Sequence, residues 1–324
     1  MIKTLAAFAL ATTFLLAGGG TALAADYPLR PVRLILPYPP GGSFDGPARI
    51  LAERLGQATG QPFVVENRGG VGGVVGAQEV RRASPDGYTV LVSSGALPIA
   101  SALAKKPPFD ATRDFRHVAT FASVPLVVVT HPGRVPFKDF RAFIQASKAA
   151  PGKYAYASAG NGSPAQLGAE LLKQTFGVDW LHVPYRGTGP ALADLIGGQV
   201  DLSVVGLSAA IGQIRSGALT ALAVTTPTRV PQLPDVPAVA EFSPGFAFDT
   251  WLGLAFPANT PPELVRHLGN VVGGLLQEPQ LRSRLADAAV TPAFRDGPST
   301  AQAVSHEMEV YMRLGQRSNI SIDY

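Results

Sequence analysis

Apolar positions along the chain fall into short runs, separated by glycine, proline and polar turn residues. Residues 32–36, 63–65, 89–93, 117–121 and 126–130 each have the length and content of a strand. Between the first two runs, Ala48, Leu51, Ala52 and Leu55 recur at helical spacing, which predicts an amphipathic helix stopped near Gly56. The plan then repeats. Residues 154–158, 181–184, 202–205 and 219–225 read as a second set of strands, and 250–255 as a final one. Strands alternating with helices predict α/β layers, each a parallel sheet covered by helices. No close sequence repeat accompanies the two sets, so the similarity is one of architecture.

Two places divide the pattern. Pro125 splits one long apolar region and cannot donate into a central ladder, so it marks a bend or crossing. Residues 226–237 are proline-rich and extended, and one more strand follows them. If that strand returns to the first sheet, two crossings join two lobes and leave a hinged cleft between them. The expected lobes are residues 25–124 with 228–324, and residues 125–227. A length of 324 residues suits two domains of ordinary size.

Residues 1–24 read differently. Lys3 precedes the apolar stretch 5–17, and Ala22-Leu23-Ala24 supplies a small-x-small site, so a signal peptide removed after Ala24 is expected. A membrane anchor is the weaker reading, because the stretch is short and Gly18, Gly19 and Gly20 interrupt it. The expected location is the periplasm. The chain has no cysteine, which excludes disulfides, thiolate metal sites and a cysteine nucleophile.

Composition narrows the functions. The chain is 46% hydrophobic and 15% charged, with a formal charge of +4, and its basic residues are scattered without interleaved aromatics. A nucleic-acid groove is therefore not expected. The histidines, 117, 131, 182, 267 and 306, lack metal-ligand spacing, and no acidic cluster resembles a metal loop, so neither metal nor cofactor is expected. Gly70, Gly72 and Val75 follow the dinucleotide spacing except at its third glycine, and they follow the second strand, so this stretch reads as a tight strand-to-helix loop.

Ligands of open α/β sheets sit beyond the carboxyl ends of strands, against helix N-termini. Two loops meet that condition. In the first, Gly41 and Gly42 let the backbone approach a ligand, Ser43 or Asp45 can cap a helix with Pro47 in its first turn, and the loop amides are expected to point at a small anion. In the second, Ser158, Ala159, Gly160, Asn161 and Gly162 lead to Ser163, Pro164 and Gln166, which predict a capping box. Either loop alone is an ordinary structural turn; the pair at equivalent places in two lobes points to a site. Ser94, at the end of the third strand, and Tyr185 are weaker candidates, and Arg186 reads as a surface residue. Neither Ser163 nor Ser208 lies in a Gly-x-Ser-x-Gly elbow.

Seven ordered segments carry a resemblance: YPLRPVRLILPYPPGGSFD, VVENRGGVGGVVGAQEV, SPDGYTVLVSS, YASAGNGSPAQLGAELLK, HVPYRGTGPALADLIGGQVD, LPDVPAVAE and WLGLAFPANTPPELV. Over residues 26–324 the chain resembles the Bug-type extracytoplasmic solute receptors of tripartite tricarboxylate transporters. The resemblance implies a type II periplasmic binding protein, two doubly wound α/β lobes joined by two crossover segments. It also implies closure on a small organic carboxylate, such as a dicarboxylate, a tricarboxylate or an aromatic acid, and presentation of that ligand to membrane permease subunits. The carried-over ligand residues are Tyr38, Gly41, Gly42, Ser43 and Asp45 in one lobe, and residues 158 to 163 in the other. Two positions depart from the family pattern: Gln166 stands where a histidine is frequent, and Val205 where a second aspartate is frequent. A valine there implies a less polar ligand body than an amino acid. The protein is expected to act as a monomer. Two other classes remain open at this point, a ligand-sensing partner of a signalling protein and an exported hydrolase using Ser163.

Overall fold

The structure, a computed structural model, describes residues 27–318 and 320–324; the expected signal peptide lies outside the described residues. The strands are β1 (Val32–Leu36), β2 (Phe63–Asn67), β3 (Thr89–Ser94), β4 (Phe115–Val124), β5 (Leu126–Thr130), β6 (Tyr154–Ser158), β7 (Trp180–Pro184), β8 (Leu202–Gly206), β9 (Thr220–Val224), β10 (Thr250–Pro257) and β11 (Thr291–Asp296). The helices are α1 (Asp45–Thr59), α2 (Val74–Arg81), α3 (Ala96–Leu103), α4 (Phe140–Ala149), α5 (Pro164–Phe176), α6 (Thr188–Ile196), α7 (Leu207–Arg215), α8 (Pro262–Leu275), α9 (Pro279–Asp287) and α10 (Gly297–Ser318).

Two sheets form. The first runs β11-β4-β10-β3-β1-β2 and the second β7-β6-β8-β5-β9. Leaving out the edge strand β11, the orders are the same, with β2, β1, β3, β10 and β4 matching β7, β6, β8, β5 and β9. In both sheets four of these five strands run in one direction, and the fourth in that order is antiparallel to its neighbours. Those antiparallel strands, β5 and β10, are the ones that enter each lobe after a crossing. The sheets are therefore mixed, not purely parallel. Strand β10 does return to the first sheet, between β3 and β4.

The continuous apolar runs follow from burial on both faces. In β1, Leu34 and Leu36 pack toward Leu51 and Leu55 of α1 and Leu268 of α8, while Ile35 packs toward Val74 and Ala77 of α2. In β5, Val128 joins one cluster with Tyr156 and Leu172, and Val127 and Val129 join another with Leu195.

Some local expectations change. Helix α1 passes Gly56 and ends at Thr59, where Gly60 takes the left-handed conformation and its amide bonds the Gly56 carbonyl. The proline-rich stretch does not lead straight back to the first sheet. Val224 bridges to Ala238, Val230 and Leu233 pack in the second lobe's cluster, and Phe242 lies on Phe140. The Gln232 side chain already reaches the Ala286 carbonyl of α9 at 3.3 Å, and the chain re-enters the first sheet at Asp249–Thr250, where Ser123 Oγ donates to the Asp249 carboxylate at 2.6 Å.

Candidate ligand cleft

Because β1, β6, β7 and β8 lie in parallel pairs within their sheets, the helices that follow them begin at the cleft. Helices α1, α5, α6 and α7 start at Asp45, Pro164, Thr188 and Leu207, and Phe44, Ser163, Thr188 and Gly206 from those four starts line one cavity. Val205, Tyr38, Ser43 and Ala159 line it too, and among the described residues no lysine, arginine, histidine or carboxylate does. The positive ends of four helix dipoles thus meet in a site without side-chain charge, which is an environment for an anion.

The lobes are pressed together around it. Ser208 Oγ donates to the Ser43 carbonyl at 2.6 Å, and Ser43 Oγ approaches the Gly206 carbonyl at 3.5 Å. Gly42 faces Thr188, Gly187 faces Pro39, and Gly72 lies so close to the Asn161 carbonyl that any Cβ there would collide with it. The remaining cavity is about 20 Å³, room for about one water.

The first loop holds itself differently from the expected cap. The N-cap of α1 is Phe44, without a side-chain hydrogen bond, and Ser43 does not cap it. Asp45 sits inside the first turn, where its carboxylate accepts from the Gly41 amide at 3.2 Å and from Arg49 and Asn67 at 3.1 and 3.0 Å. Burial alone would raise the Asp45 pKa, but the hydrogen bonds from Arg49, Asn67 and Gly41 outweigh it and hold the carboxyl below its ordinary range. The Gly41 amide is therefore not aimed at the cleft. Tyr38 is buried beside this loop; its hydroxyl lies 3.3 Å from Ser94 Oγ and donates to the Gly72 carbonyl at 3.4 Å. Burial pushes that phenol up to about 12, with the Ser94 hydrogen bond working against it, so it stays protonated and can donate. Ser94 supports Tyr38 from behind and also accepts from the Ala96 amide at 3.3 Å, without lining the cavity.

The second loop keeps half of its expected box. Ser163 is the N-cap of α5 and accepts from the Gln166 backbone amide, but the Gln166 side-chain Oε1 accepts from the Gly162 amide at 2.8 Å, not from Ser163. The Gly160 amide is taken by Ser158 Oγ at 3.2 Å, and the Asn161 side chain donates to the Asp323 carbonyl at 3.1 Å. Tyr185 turns away, donating to Asp194 at 2.7 Å on α6; burial first, then Asp194, pushes its phenol up to about 12. Of the expected residues, Tyr38, Ser43, Ala159, Ser163 and Val205 meet at the cavity. The others sit behind it or beside it. Thr188, Gly206 and Ser208 were not foreseen, since a Gly-Leu-Ser at a strand end carries no visible cap signal.

A serine and a histidine do meet, at Ser158 rather than Ser163. His182 Nε2 lies 2.7 Å from Ser158 Oγ, and Gln166 Nε2 lies 3.4 Å from His182 Nδ1. The Gln166 oxygen is fixed by the Gly162 amide, so its nitrogen faces the ring and can only donate. Nδ1 is then the acceptor and Nε2 carries the hydrogen, which it gives to Ser158. A catalytic base needs the reverse arrangement. Burial lowers the His182 pKa, and the ring stacks on Tyr156 with centroids 4.7 Å apart. This pair props the loop.

Residues 47–320 match the tripartite tricarboxylate transporter family receptor. The chain belongs to this receptor family. The protein BugT of Bordetella pertussis is 37% identical over 297 residues, covering 90% of this chain and 91% of BugT. The structure of the periplasmic binding protein BugD matches at 31% identity with a TM-score of 0.86, covering 92% of this chain and 100% of BugD. MatC from Rhodopseudomonas palustris, solved with bound malate, matches at 32% identity with a TM-score of 0.82, covering 89% and 99%. Like these receptors, the chain has two α/β lobes about a cleft.

Proposed function

We propose that this receptor captures a small organic carboxylate between its lobes in the periplasm and delivers it to the membrane subunits of a tripartite transporter. The observation that carries the reading is the meeting of four helix starts at one cavity with no basic side chain in its wall. Such a site offers amide and hydroxyl donors to an anion without burying a cation whose desolvation would have to be offset. Ser163 contributes in a specific way: its oxygen already accepts from Gln166, which leaves its O–H to donate to a carboxylate. Malate in MatC belongs to the same ligand class. Because the ligand reaches donors from both lobes only when they are closed, its binding free energy favours closure. The hinge would lie at Val124–Leu126 and at Asp249–Thr250.

Val205 lines the cavity at 3% exposure, where it presents methyl groups to the ligand body. That supports an aliphatic or aromatic acid over an amino acid. The test is a thermal-shift screen of dicarboxylates, tricarboxylates, aromatic acids and acidic amino acids. One or more simple acids should raise Tm with a concentration dependence, while aspartate and glutamate should not; a shift with amino acids alone, or with none of the acids, contradicts the reading.

A further inference from the structure

Segment 320–324 joins the two lobes on the rim of the cleft, outside the cavity: neither Tyr324 nor Gly162, on which it rests, lines that space. Its hold on the first lobe is extensive. Ile322 is 4% exposed, in a cluster with Ile99 and Leu103 of α3 and Tyr311 of α10. Its amide donates to the Leu103 carbonyl at 2.8 Å, its carbonyl accepts from the Lys105 amide at 3.1 Å, and it forms a parallel bridge with Ala104. The chain reaches this place by passing over Gly315 of α10, where a Cβ would stand 2.8 Å from Leu103 Cδ2 and 3.0 Å from the Ile320 carbonyl. Lys105 Nζ also pairs with the Asp323 carboxylate at 2.9 Å, but both groups are exposed, so that pair adds little.

The hold on the second lobe is slight by comparison. Asn161 Nδ2 donates to the Asp323 carbonyl at 3.1 Å in an exposed position, and the Tyr324 phenol lies where a Cβ of Gly162 would be. Gly162 sits at φ +77°, so its lack of a side chain serves both the turn of the loop and the phenol packed on it. Separation of the lobes at this rim must break both contacts. A buried isoleucine with two backbone hydrogen bonds outlasts one exposed hydrogen bond and a half-exposed ring, so the second-lobe end is the one that lets go. We propose that segment 320–324 is a latch: it stays on the first lobe throughout, engages Asn161 and Gly162 only when the lobes are closed, and so sets the closed-to-open ratio of the receptor before any ligand arrives.

The latch regulates the carboxylate site and in that sense rests on the reading above, but its test needs no ligand. The chain has no cysteine, so Ala58→Cys on α1 and Thr175→Cys on α5, both exposed near the helix ends remote from the cleft, give one spin label per lobe. Pulsed electron spin resonance reads the distance between the labels in the ligand-free parent, and again with Tyr324→Ala, Asn161→Ala or deletion of residues 320–324 added. The parent should be mostly closed, and each change should lower the closed-to-open ratio, the deletion by about tenfold, the scale of one net hydrogen bond. The two point variants leave the Ile322 anchor in place and decide the matter if the deletion fails to fold. A parent as open as the variants, or a ratio unmoved in all of them, overturns the latch. Calorimetry with the unbranched dicarboxylates from succinate to suberate then separates the two claims. A shift in closure alone weakens every acid by one common factor, no greater than the change in the ratio; a loss that differs with the length of the acid would place the segment on the ligand and overturn the latch. If the parent binds none of the acids, the carboxylate reading fails, and the label distances still decide the latch.

Discussion

At the residue scale, the site depends on which polar atoms remain available after the loops have satisfied themselves. Four groups near the cleft are already engaged: the amides of Gly41, Gly160 and Gly162, and the side chain of Asn161. That internal bonding fixes the loops and narrows the donors offered to a ligand to hydroxyls and first-turn amides. Ser163 combines both duties. Ser163→Ala should lose its cap, costing about 1 kcal/mol of stability by urea unfolding. It should also weaken carboxylate binding by about tenfold or more in calorimetry, the value of a hydrogen bond to a charged group. A full loss of stability with unchanged affinity would restrict Ser163 to its structural role. Sequence alone placed Ser163 as a cap correctly, because Ser-Pro followed by Gln166 is a local signal. It misplaced the Ser43 and Asp45 cap, because Asp45 finds Arg49 one turn on and Asn67 on a neighbouring strand, and the second of these is a long-range partner.

At the element scale, the alternation of apolar runs located the strands, since burial on both sheet faces leaves little doubt about where they lie. Strand β11 was missed for the converse reason. Its residues Thr-Pro-Ala-Phe-Arg-Asp are exposed or half-buried at an edge, with a proline inside, and no alternation survives. The loop from Gly69 to Gly76 was legible only as a tight turn. Its contact with the other lobe is a matter of tertiary placement: Gly72, at φ +63°, packs on the Asn161 carbonyl, and the Tyr38 hydroxyl holds its own carbonyl. Gly72→Ala is therefore expected to block full closure, because the colliding partner is backbone and cannot move aside. Small-angle scattering on ligand addition reads this directly: the radius of gyration should fall for the wild type and fail to fall for the variant. An equal fall in both would place the closing contact elsewhere.

At the scale of the whole molecule, buried titratable groups set a pH window for stability. Burial lowers the pKa of His117 and His182. The unfolded chain then binds more protons below about 6.5 than the folded one does, so stability from these groups is full above that pH and is lost as pH falls below it. Glu307 acts in the opposite direction. Burial pushes it up to about 7, against the lowering effect of the Trp251 hydrogen bonds at 3.0 Å, so its contribution is lost as pH rises from the ordinary glutamate range through about 7. Glu307→Gln should therefore raise Tm relative to the wild type above pH 7 and lose that advantage toward pH 4, read by calorimetric scans across the range. A constant difference at all pH values would contradict the buried, titrating carboxyl.

The repeated strand order of the two sheets is what brings four helix starts to one point, and the charge-free anion site follows from that topology. The most direct measurement is a crystal structure of the protein with a bound dicarboxylate. A ligand carboxylate within about 3.2 Å of Ser163 Oγ and of first-turn amides from helices of both lobes, with no lysine or arginine side chain on it, is the predicted result. A carboxylate held by a basic side chain, or lodged away from the convergence of α1, α5, α6 and α7, would contradict it.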